Sequence, residues 1–237
     1  MKRFYKTATA APVDSADDSA GGFQVLLDGK PVRTPSKALL LVPTMALAEA
    51  IAAEWQGQGE SVVPQSMPLT QYAATTIDGV IGRRDGVVDA VCAYAGTDLL
   101  CYRADHPLEL AERQAMMWQP LLDWAAVRHG AVLVCTSGIV HRPQDPAALA
   151  ALGAAVAGLD DWRLCGLQGA VGAAGSLVIG LALLEGRLSA EEAFAISQLD
   201  ETFQIEQWGE DAEAMKRRDA LRADLAATER FLRICAA

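Results

Sequence analysis

The residues best suited to chemistry are the adjacent carboxylates Asp200 and Glu201, with Gln204 about one helical turn further along the chain. Carboxylate pairs act as general acids and bases or hold divalent metal ions, as a hydrolase or a lyase requires. The Glu-x-x-His element of helical di-metal sites does not accompany them. Catalysis by Asp200 and Glu201 is therefore an alternative hypothesis and not the leading one.

Other reactive residue types lack the spacing that their chemistry needs. The pairs Cys101 with His106 and Cys135 with His141 do not match a usual zinc-ligand spacing. Ser176 is not in a GxSxG elbow, and the chain contains no GxxxxGK[ST] phosphate loop. We therefore expect no catalytic residues, no metal site and no cofactor, and the pattern favours a binding protein.

The two carboxylates lie within residues 189–213, which read SAEEAFAISQLDETFQIEQWGEDAE. Ser189 and Glu192 form a capping-box pattern, in which each side chain bonds a backbone N–H at the start of a helix. No Gly or Pro follows before Gly209. One uninterrupted helix of about five turns is therefore predicted.

This predicted helix carries apolar residues on two sides. One side is wholly apolar and consists of Ile196, Leu199 and Phe203. The other side holds Phe194, Ile205 and Trp208, with Glu201 among them. A carboxylate next to aromatic rings must be exposed to solvent at a cleft, form an ion pair, or serve a function that compensates for the cost of its burial. Two hypotheses stay open: Glu201 is a rim residue whose stem covers Trp208, or it belongs to a binding site.

The composition indicates a globular protein that does not bind nucleic acid. The 237 residues are 51% hydrophobic and 21% charged, enough to bury the core of one large or two small domains. The net charge is −10 and the basic residues are scattered, whereas binding to a phosphate backbone needs clustered Lys and Arg. The 5 cysteines form no CxxC pair, so we expect buried thiols in a reducing compartment.

Residues 164–184 carry no charge and are just long enough to cross a bilayer. Their many glycines, together with Gln168 and Ser176, lower the hydrophobicity of the stretch. A single buried central helix, packed closely through its small residues, is the better interpretation. We expect no stable membrane insertion.

An antiparallel sheet is predicted near the start of the chain. Asp-Gly at residues 28–29 indicates a type I′ hairpin between strands at 23–27 and 32–34, and a third strand follows at 38–42. A helix that begins near Thr44 has one apolar face to cover this sheet.

The pattern becomes mainly helical after an extended connector near residues 62–68. In the long helix after Pro107, Pro120 should produce a kink or a split. We therefore predict an α+β fold with two domains. Residues 1–66 would form a small antiparallel sheet domain with one covering helix, and residues 67–237 a larger, mainly α-helical domain.

Several segments together resemble one known family, the assembly chaperones of the F1-ATP synthase alpha subunit in mitochondria and alpha-proteobacteria. The similar segments run through nearly the whole chain: KRFYK, LDGKPVRTPSKALLLVP, AIAAEW, MPLTQYAATTID, YAGTDLLCYRA, W-x-PLLDW, AAGSLV and LDETFQIEQWGED. No single segment is specific, but their combination is.

The resemblance implies a sheet-containing N-terminal domain, a helical C-terminal domain and no catalysis. Members of that family hold the free alpha subunit and cover the surface that later contacts beta, until beta displaces them. The acid that matters in the family's LDE motif corresponds to Glu201, with Asp200 as the neighbouring alternative. The expected partner-binding residues are Asp200, Glu201, Phe194, Gln204, Ile205 and Trp208.

The first six residues are basic but lack the apolar run of a secretory signal, and Asp14, Asp17 and Asp18 follow them, unlike a mitochondrial presequence. We therefore expect a bacterial cytoplasmic chaperone that is monomeric when free; a eukaryotic member would work in the mitochondrial matrix. Besides the hydrolase or lyase, one further alternative stays open. The protein could be a peptide-binding module that adds a strand to the exposed edge of its N-terminal sheet.

Overall fold

A computed structural model of the chain describes residues 1–13, 22–138 and 140–236, so the acids Asp14, Asp17 and Asp18 lie outside the described residues. The strands are β1 (Ala8–Pro12), β2 (Phe23–Leu27), β3 (Lys30–Pro31), β4 (Leu41–Val42), β5 (Tyr102–Arg103) and β6 (Thr136–Ser137). The α-helices are α1 (Met45–Gln56), α2 (Pro68–Thr75), α3 (Arg84–Ala93), α4 (Leu108–His129), α5 (Pro146–Ala157), α6 (Asp161–Ala174), α7 (Leu177–Leu184), α8 (Ala190–Ser197), α9 (Leu199–Trp208) and α10 (Ala212–Cys235).

The N-terminal sheet is antiparallel, as predicted, and β2 is its central strand. β1 pairs with one side of β2, and both β3 and β4 pair with β2 as well. Asp28 and Gly29 have φ angles of 47° and 80°, the conformation that a type I′ turn requires, so the predicted turn and the strand before it are confirmed. The strands that follow are shorter than predicted: β3 is Lys30–Pro31 instead of 32–34, and β4 is Leu41–Val42 instead of 38–42. The sequence did not indicate β1, because its short, mostly small side chains show no alternation of apolar and polar residues.

Helix α1 covers this sheet. Oγ1 of Thr44 accepts a 3.2 Å hydrogen bond from the backbone N–H of Leu47 and so caps the first turn. The buried face of α1 consists of Leu47, Ala48, Ile51 and Ala52. The predicted sheet with one covering helix is therefore confirmed.

The contacts divide the chain into two compact units. The first consists of Met1–Arg84 with the short segments Asp161–Cys165 and Arg230–Ala237, and the second consists of Asp85–Asp160 with Gly166–Glu229. The division into domains of residues 1–66 and 67–237 stays a prediction.

Helix α4 runs through Pro120 without a break, so the helix is not split there. Pro120 lies on the solvent-exposed side of the helix. Proline has no N–H to donate, so one backbone carbonyl of the preceding turn lacks its helical hydrogen bond, and on this side water can bond to it. The opposite side of α4 is buried through Trp118, Leu121 and Leu122.

The uncharged stretch at residues 164–184 is not one helix, contrary to the prediction. It is divided between α6 and α7 at Gly175, which has a φ of +68°, and at Ser176, whose Oγ accepts from Ile179 N at 3.0 Å. The buried carboxylate of Asp98 accepts from Ser176 Oγ at 2.7 Å and from Val178 N at 3.1 Å. Within the described part of the chain, no helix is both long and apolar enough to cross a membrane.

The cysteines are less uniformly buried than predicted. None of the five described cysteines is in a disulfide; Cys101 and Cys165 are buried, and the other three are half-buried. Burial raises the pKa of Cys101 to about 12, with smaller contributions from Asp98 and Cys135. A thiol with so high a pKa is a poor nucleophile at neutral pH.

Candidate functional site

The helix predicted over residues 189–209 is interrupted at Gln198, so the prediction of a continuous helix was wrong. The capping box of Ser189 and Glu192 starts α8 as expected. At the end of α8, the carbonyl of Ile196 accepts a 3.0 Å hydrogen bond from Nε1 of the buried Trp118. Gln198 has φ −107° and ψ 22°, outside the helical range, and α9 begins at the next residue.

The break separates Phe194 from the residues with which it was expected to share a face. Phe194 is only 4% exposed. The guanidinium groups of Arg218 and Arg222 lie 5.2 Å and 4.4 Å from the centre of its ring, close enough for cation–π attraction. Phe194 is thus covered within the protein, and it offers no exposed surface beside Ile205 and Trp208.

One side of α9 is fixed against α4. Phe203 is buried, and the guanidinium of Arg113 lies 5.3 Å from its ring. Arg113 bonds Glu206 at 2.6 Å and Glu109 at 2.7 Å, and these two carboxylates raise the pKa of the guanidinium. Because Arg113 lies on α4, its contacts with Phe203 and Glu206 tie α9 to that helix, while its bond to Glu109 stays within α4.

Asp200 belongs to this fixed side. Its Oδ1 accepts a 2.8 Å hydrogen bond from Nε2 of Gln114, which is almost fully buried. Oε1 of Gln114 in turn accepts from the backbone N–H of Ala104 at 2.8 Å. The Asp200 carboxylate therefore completes a hydrogen-bond network inside the protein.

The other side of α9 forms a groove with α10, with a volume of about 430 Å³. Helix α9 contributes Glu201, Gln204, Ile205 and Trp208. Helix α10 contributes Ala214, Arg217, Arg218 and Leu221. Both sets follow the i, i+3, i+4, i+7 spacing of a single helical face. Gly209 also lines the groove, and its φ of +87° and ψ of 174° belong to a region that essentially only glycine adopts.

The groove presents unpaired charges next to apolar surface. Trp208 is 79% exposed. Among the described residues, neither the Glu201 carboxylate nor the Arg217 guanidinium has a hydrogen bond or an ion pair. Arg218 is different, because it donates to Gln198 Oε1 at 3.2 Å and to Thr202 Oγ1 at 2.9 Å. An exposed indole with two free charges of opposite sign suits the recognition of another protein.

Comparison with known proteins shows the family of this chain. The sequence model of the ATP12 chaperone protein family matches residues 2–126. The chain belongs to this family. The mitochondrial protein atp12 of Schizosaccharomyces pombe is 26% identical over 92% of this chain and 78% of its own length. The crystal structure of Atp12 from Paracoccus denitrificans is 43% identical, with a TM-score of 0.91 over 98% of this chain and 97% of its own. A structure of an aspartate-to-lysine mutant of that protein matches equally well.

These findings confirm the resemblance and the fold class. A small antiparallel sheet followed by a mainly helical region is the fold of this chain, and the Paracoccus structures share it. Membership of the family makes the protein an assembly chaperone for ATP synthase. Within residues 1–13, 22–138 and 140–236, no three His, Cys, Asp or Glu side chains are grouped so that they could hold a metal ion.

Four of the six residues expected to bind a partner line the groove: Glu201, Gln204, Ile205 and Trp208. Asp200 and Phe194 do not line it. The sequence analysis missed the wall contributed by α10, including Arg217 and Leu221. The spacing of residues 214, 217, 218 and 221 along a single helical face could have indicated this wall.

Proposed function

We propose that the protein binds the free alpha subunit of F1-ATP synthase in the groove between α9 and α10 and releases it when the beta subunit takes its place. Glu201, Gln204, Ile205 and Trp208 are the contacts from α9, and Arg217 and Leu221 are the contacts from α10. The chaperone acts without catalysis, as a monomer when free and in the bacterial cytoplasm. Its relatives in Schizosaccharomyces pombe and Paracoccus denitrificans are consistent with both a mitochondrial and a bacterial branch.

The single observation that carries this proposal is the free Glu201 carboxylate beside the exposed ring of Trp208. Tryptophan is enriched among the interface residues that dominate binding energy, and Trp208 lies beside the apolar side chain of Ile205 in the groove. A carboxylate without an internal partner is free to make a charge-assisted hydrogen bond across an interface. The two groups lie one above the other on α9, seven positions apart.

The groove also indicates the chemistry of the surface it would cover. A basic side chain would pair with Glu201, an acidic one with Arg217, and an apolar side chain would lie against Ile205 and Trp208. An alpha subunit without its neighbours exposes a subunit interface, and exposed interfaces of this kind lead to aggregation. Covering such a surface keeps the subunit soluble until beta contacts it.

The geometry supports binding more than hydrolysis or elimination by Asp200 and Glu201. A carboxylate pair that shares a proton or a metal ion must point to one place. Here the Asp200 carboxylate is bonded to Gln114 on the α4 side, and Glu201 lies in the groove on the α10 side.

Strand addition to the N-terminal sheet is also less well supported. The free side of β1 is partly occupied, because Ala8 N donates to Gln56 Oε1 at 2.8 Å. β3 contains Pro31, which has no N–H to offer a further strand.

Co-expression with the cognate alpha subunit tests the proposal. Size-exclusion chromatography should show a soluble complex of the two chains, and added beta subunit should release the chaperone. Absence of a complex with alpha would contradict the proposal, and so would a complex that forms equally well with beta alone.

A further inference from the structure

The first compact unit contains a second groove, of about 420 Å³, formed by the start of the chain, the β2–β3 hairpin and the end of α1. Its apolar wall includes Phe4, Leu27, Val32 and Trp55. Phe4 is 65% exposed, although it lies beside the buried Tyr5 with ring centres 5.3 Å apart. A phenylalanine in this position is available to contact another molecule.

The polar residues of this groove are mainly basic. Lys30 and Arg33 line it and are exposed. The Lys30 ammonium has no partner among the described residues, and Arg33 donates only to the backbone carbonyl of Lys37, at 2.7 Å. The acidic residue of the groove, Asp28, already accepts hydrogen bonds from Thr7 Oγ1 and from the backbone N–H groups of Lys6 and Thr7. Asp28 keeps its negative charge, but neither Lys30 nor Arg33 forms an ion pair with it or with any other described residue, and the two cations outnumber the one acid.

Trp55 lines the groove and carries one unsatisfied polar atom. Its Nε1–H is buried and has no hydrogen-bond partner among the described residues. Buried indole N–H groups usually find an acceptor, and an unsatisfied one destabilises the fold.

We propose that this groove binds an acidic polypeptide segment that carries a large apolar side chain. The apolar side chain lies against Phe4 and Trp55, and carboxylates pair with Lys30 and Arg33. Long polyanions fit less well, because a nucleic acid or an anionic membrane extends its charge over surrounding surface, and the chain as a whole has a net charge of −10. A short acidic segment presents its charge only at the basic groove.

Fluorescence anisotropy with the full-length protein tests this. The probe is a labelled twelve-residue peptide in which Glu alternates with Phe and Leu, and the reference peptide carries Lys in place of every Glu. We expect saturable binding of the acidic peptide only. The double variant Lys30→Glu, Arg33→Glu should weaken it about tenfold, because two attractions become repulsions. Phe4→Ala should weaken it as well.

The double variant Lys216→Glu, Arg233→Glu is the matched control: two exposed cations outside this groove undergo the same charge change, and its binding should stay within about twofold of wild type. Glu201→Lys changes only the groove between α9 and α10, so it should bind the peptide as wild type does. A failure of the alpha-subunit proposal can therefore be told apart from a failure of this one. Equal binding of the acidic and basic peptides would overturn the proposal, as would an unaffected double variant. The proposal would also be overturned if the wild-type protein bound phosphatidylglycerol vesicles but no peptide, and the double variant Lys30→Glu, Arg33→Glu lost the vesicle binding.

Discussion

Asp200 and Glu201 are neighbours in α9, yet their carboxylates have different surroundings. Oδ1 of Asp200 accepts a 2.8 Å hydrogen bond from Nε2 of Gln114, a side chain that is 1% exposed. Glu201 lines the groove and is exposed. One acid therefore holds α9 to α4, and the other is free to contact a partner.

This difference predicts unequal effects on stability. Asp200→Ala should lower the free energy of unfolding by about 1–3 kcal/mol, because it leaves the buried amide of Gln114 without its acceptor. Glu201→Ala should change it by no more than about 0.5 kcal/mol, as is usual for exposed positions. Urea unfolding followed by circular dichroism measures both. A larger loss for Glu201→Ala would contradict these assignments.

Substitutions at the two acids should rank in the opposite order in their effect on binding to the alpha subunit. Glu201→Lys should weaken the complex with the alpha subunit by roughly 2–5 kcal/mol, the range for losing one member of a desolvated charge pair, while thermal melting stays close to wild type. Titration with purified alpha subunit measures the affinity. Asp200→Asn keeps the acceptor oxygen for Gln114 and serves as the control. If Asp200→Asn abolished binding and Glu201→Lys did not, the critical acid of the LDE motif would be Asp200.

The α10 wall is tested by two adjacent residues. Arg217 and Lys216 are both exposed cations, but only Arg217 lines the groove. Arg217→Glu should weaken the complex with alpha at least about tenfold, because a free guanidinium at the interface becomes a carboxylate near Glu201. Lys216→Glu makes the same change in net charge and should have little effect. Similar losses for the two variants would mean that overall charge, and not the groove, controls the association.

Close packing of α6 and α7 predicts opposite effects for two glycines. A Cβ at Gly180 would lie 2.5 Å from Cγ2 of Val171 and 3.1 Å from Cδ1 of Leu167, so Gly180→Ala should destabilise the protein by about 1–3 kcal/mol. A Cβ at Gly172 meets no atom within 4 Å. Gly172→Ala should stabilise the helix by about 0.5–1 kcal/mol. Chemical denaturation compares the two, and a tolerated Gly180→Ala would mean that α7 can move away from α6.

His129 predicts a pH dependence of stability. Its side chain is 6% exposed, and burial lowers its pKa below the usual 6.5. The nearby Arg128 also lowers this pKa, whereas Glu185 partly offsets the shift by raising it. Between the lowered pKa and 6.5, the unfolded chain holds a proton that the folded protein does not. The free energy of unfolding should therefore fall as the pH drops below about 6.5, by at most about 1.4 kcal/mol per pH unit from this group.

Urea denaturation between pH 5 and 7 measures that slope. His129→Gln removes the titrating group, so its stability should depend less on pH than that of wild type. Parallel curves for the two proteins would show that other groups cause the dependence.

Features that depend on a few neighbouring residues could be predicted from the sequence. The Asp28-Gly29 turn needs only residues that tolerate positive φ, and Ser189 and Glu192 cap a helix through their own side chains. The four groove residues of α9 share a face because of helical periodicity. In each case the interacting groups lie within one or two turns of backbone, so their spacing determines their contact.

Only the tertiary structure decided where the helices break and what faces the carboxylates. Nothing in residues 189–208 resembles a stop signal; the bond to the Ile196 carbonyl comes from Trp118, 78 positions away. Likewise, the side chain that donates a hydrogen bond to the Asp200 carboxylate is Gln114, 86 positions away. Asp200 and Glu201 are thus alike in local sequence but differ in their surroundings. Residues distant in sequence place a buried hydrogen-bond donor beside the Asp200 carboxylate and leave the Glu201 carboxylate in a groove.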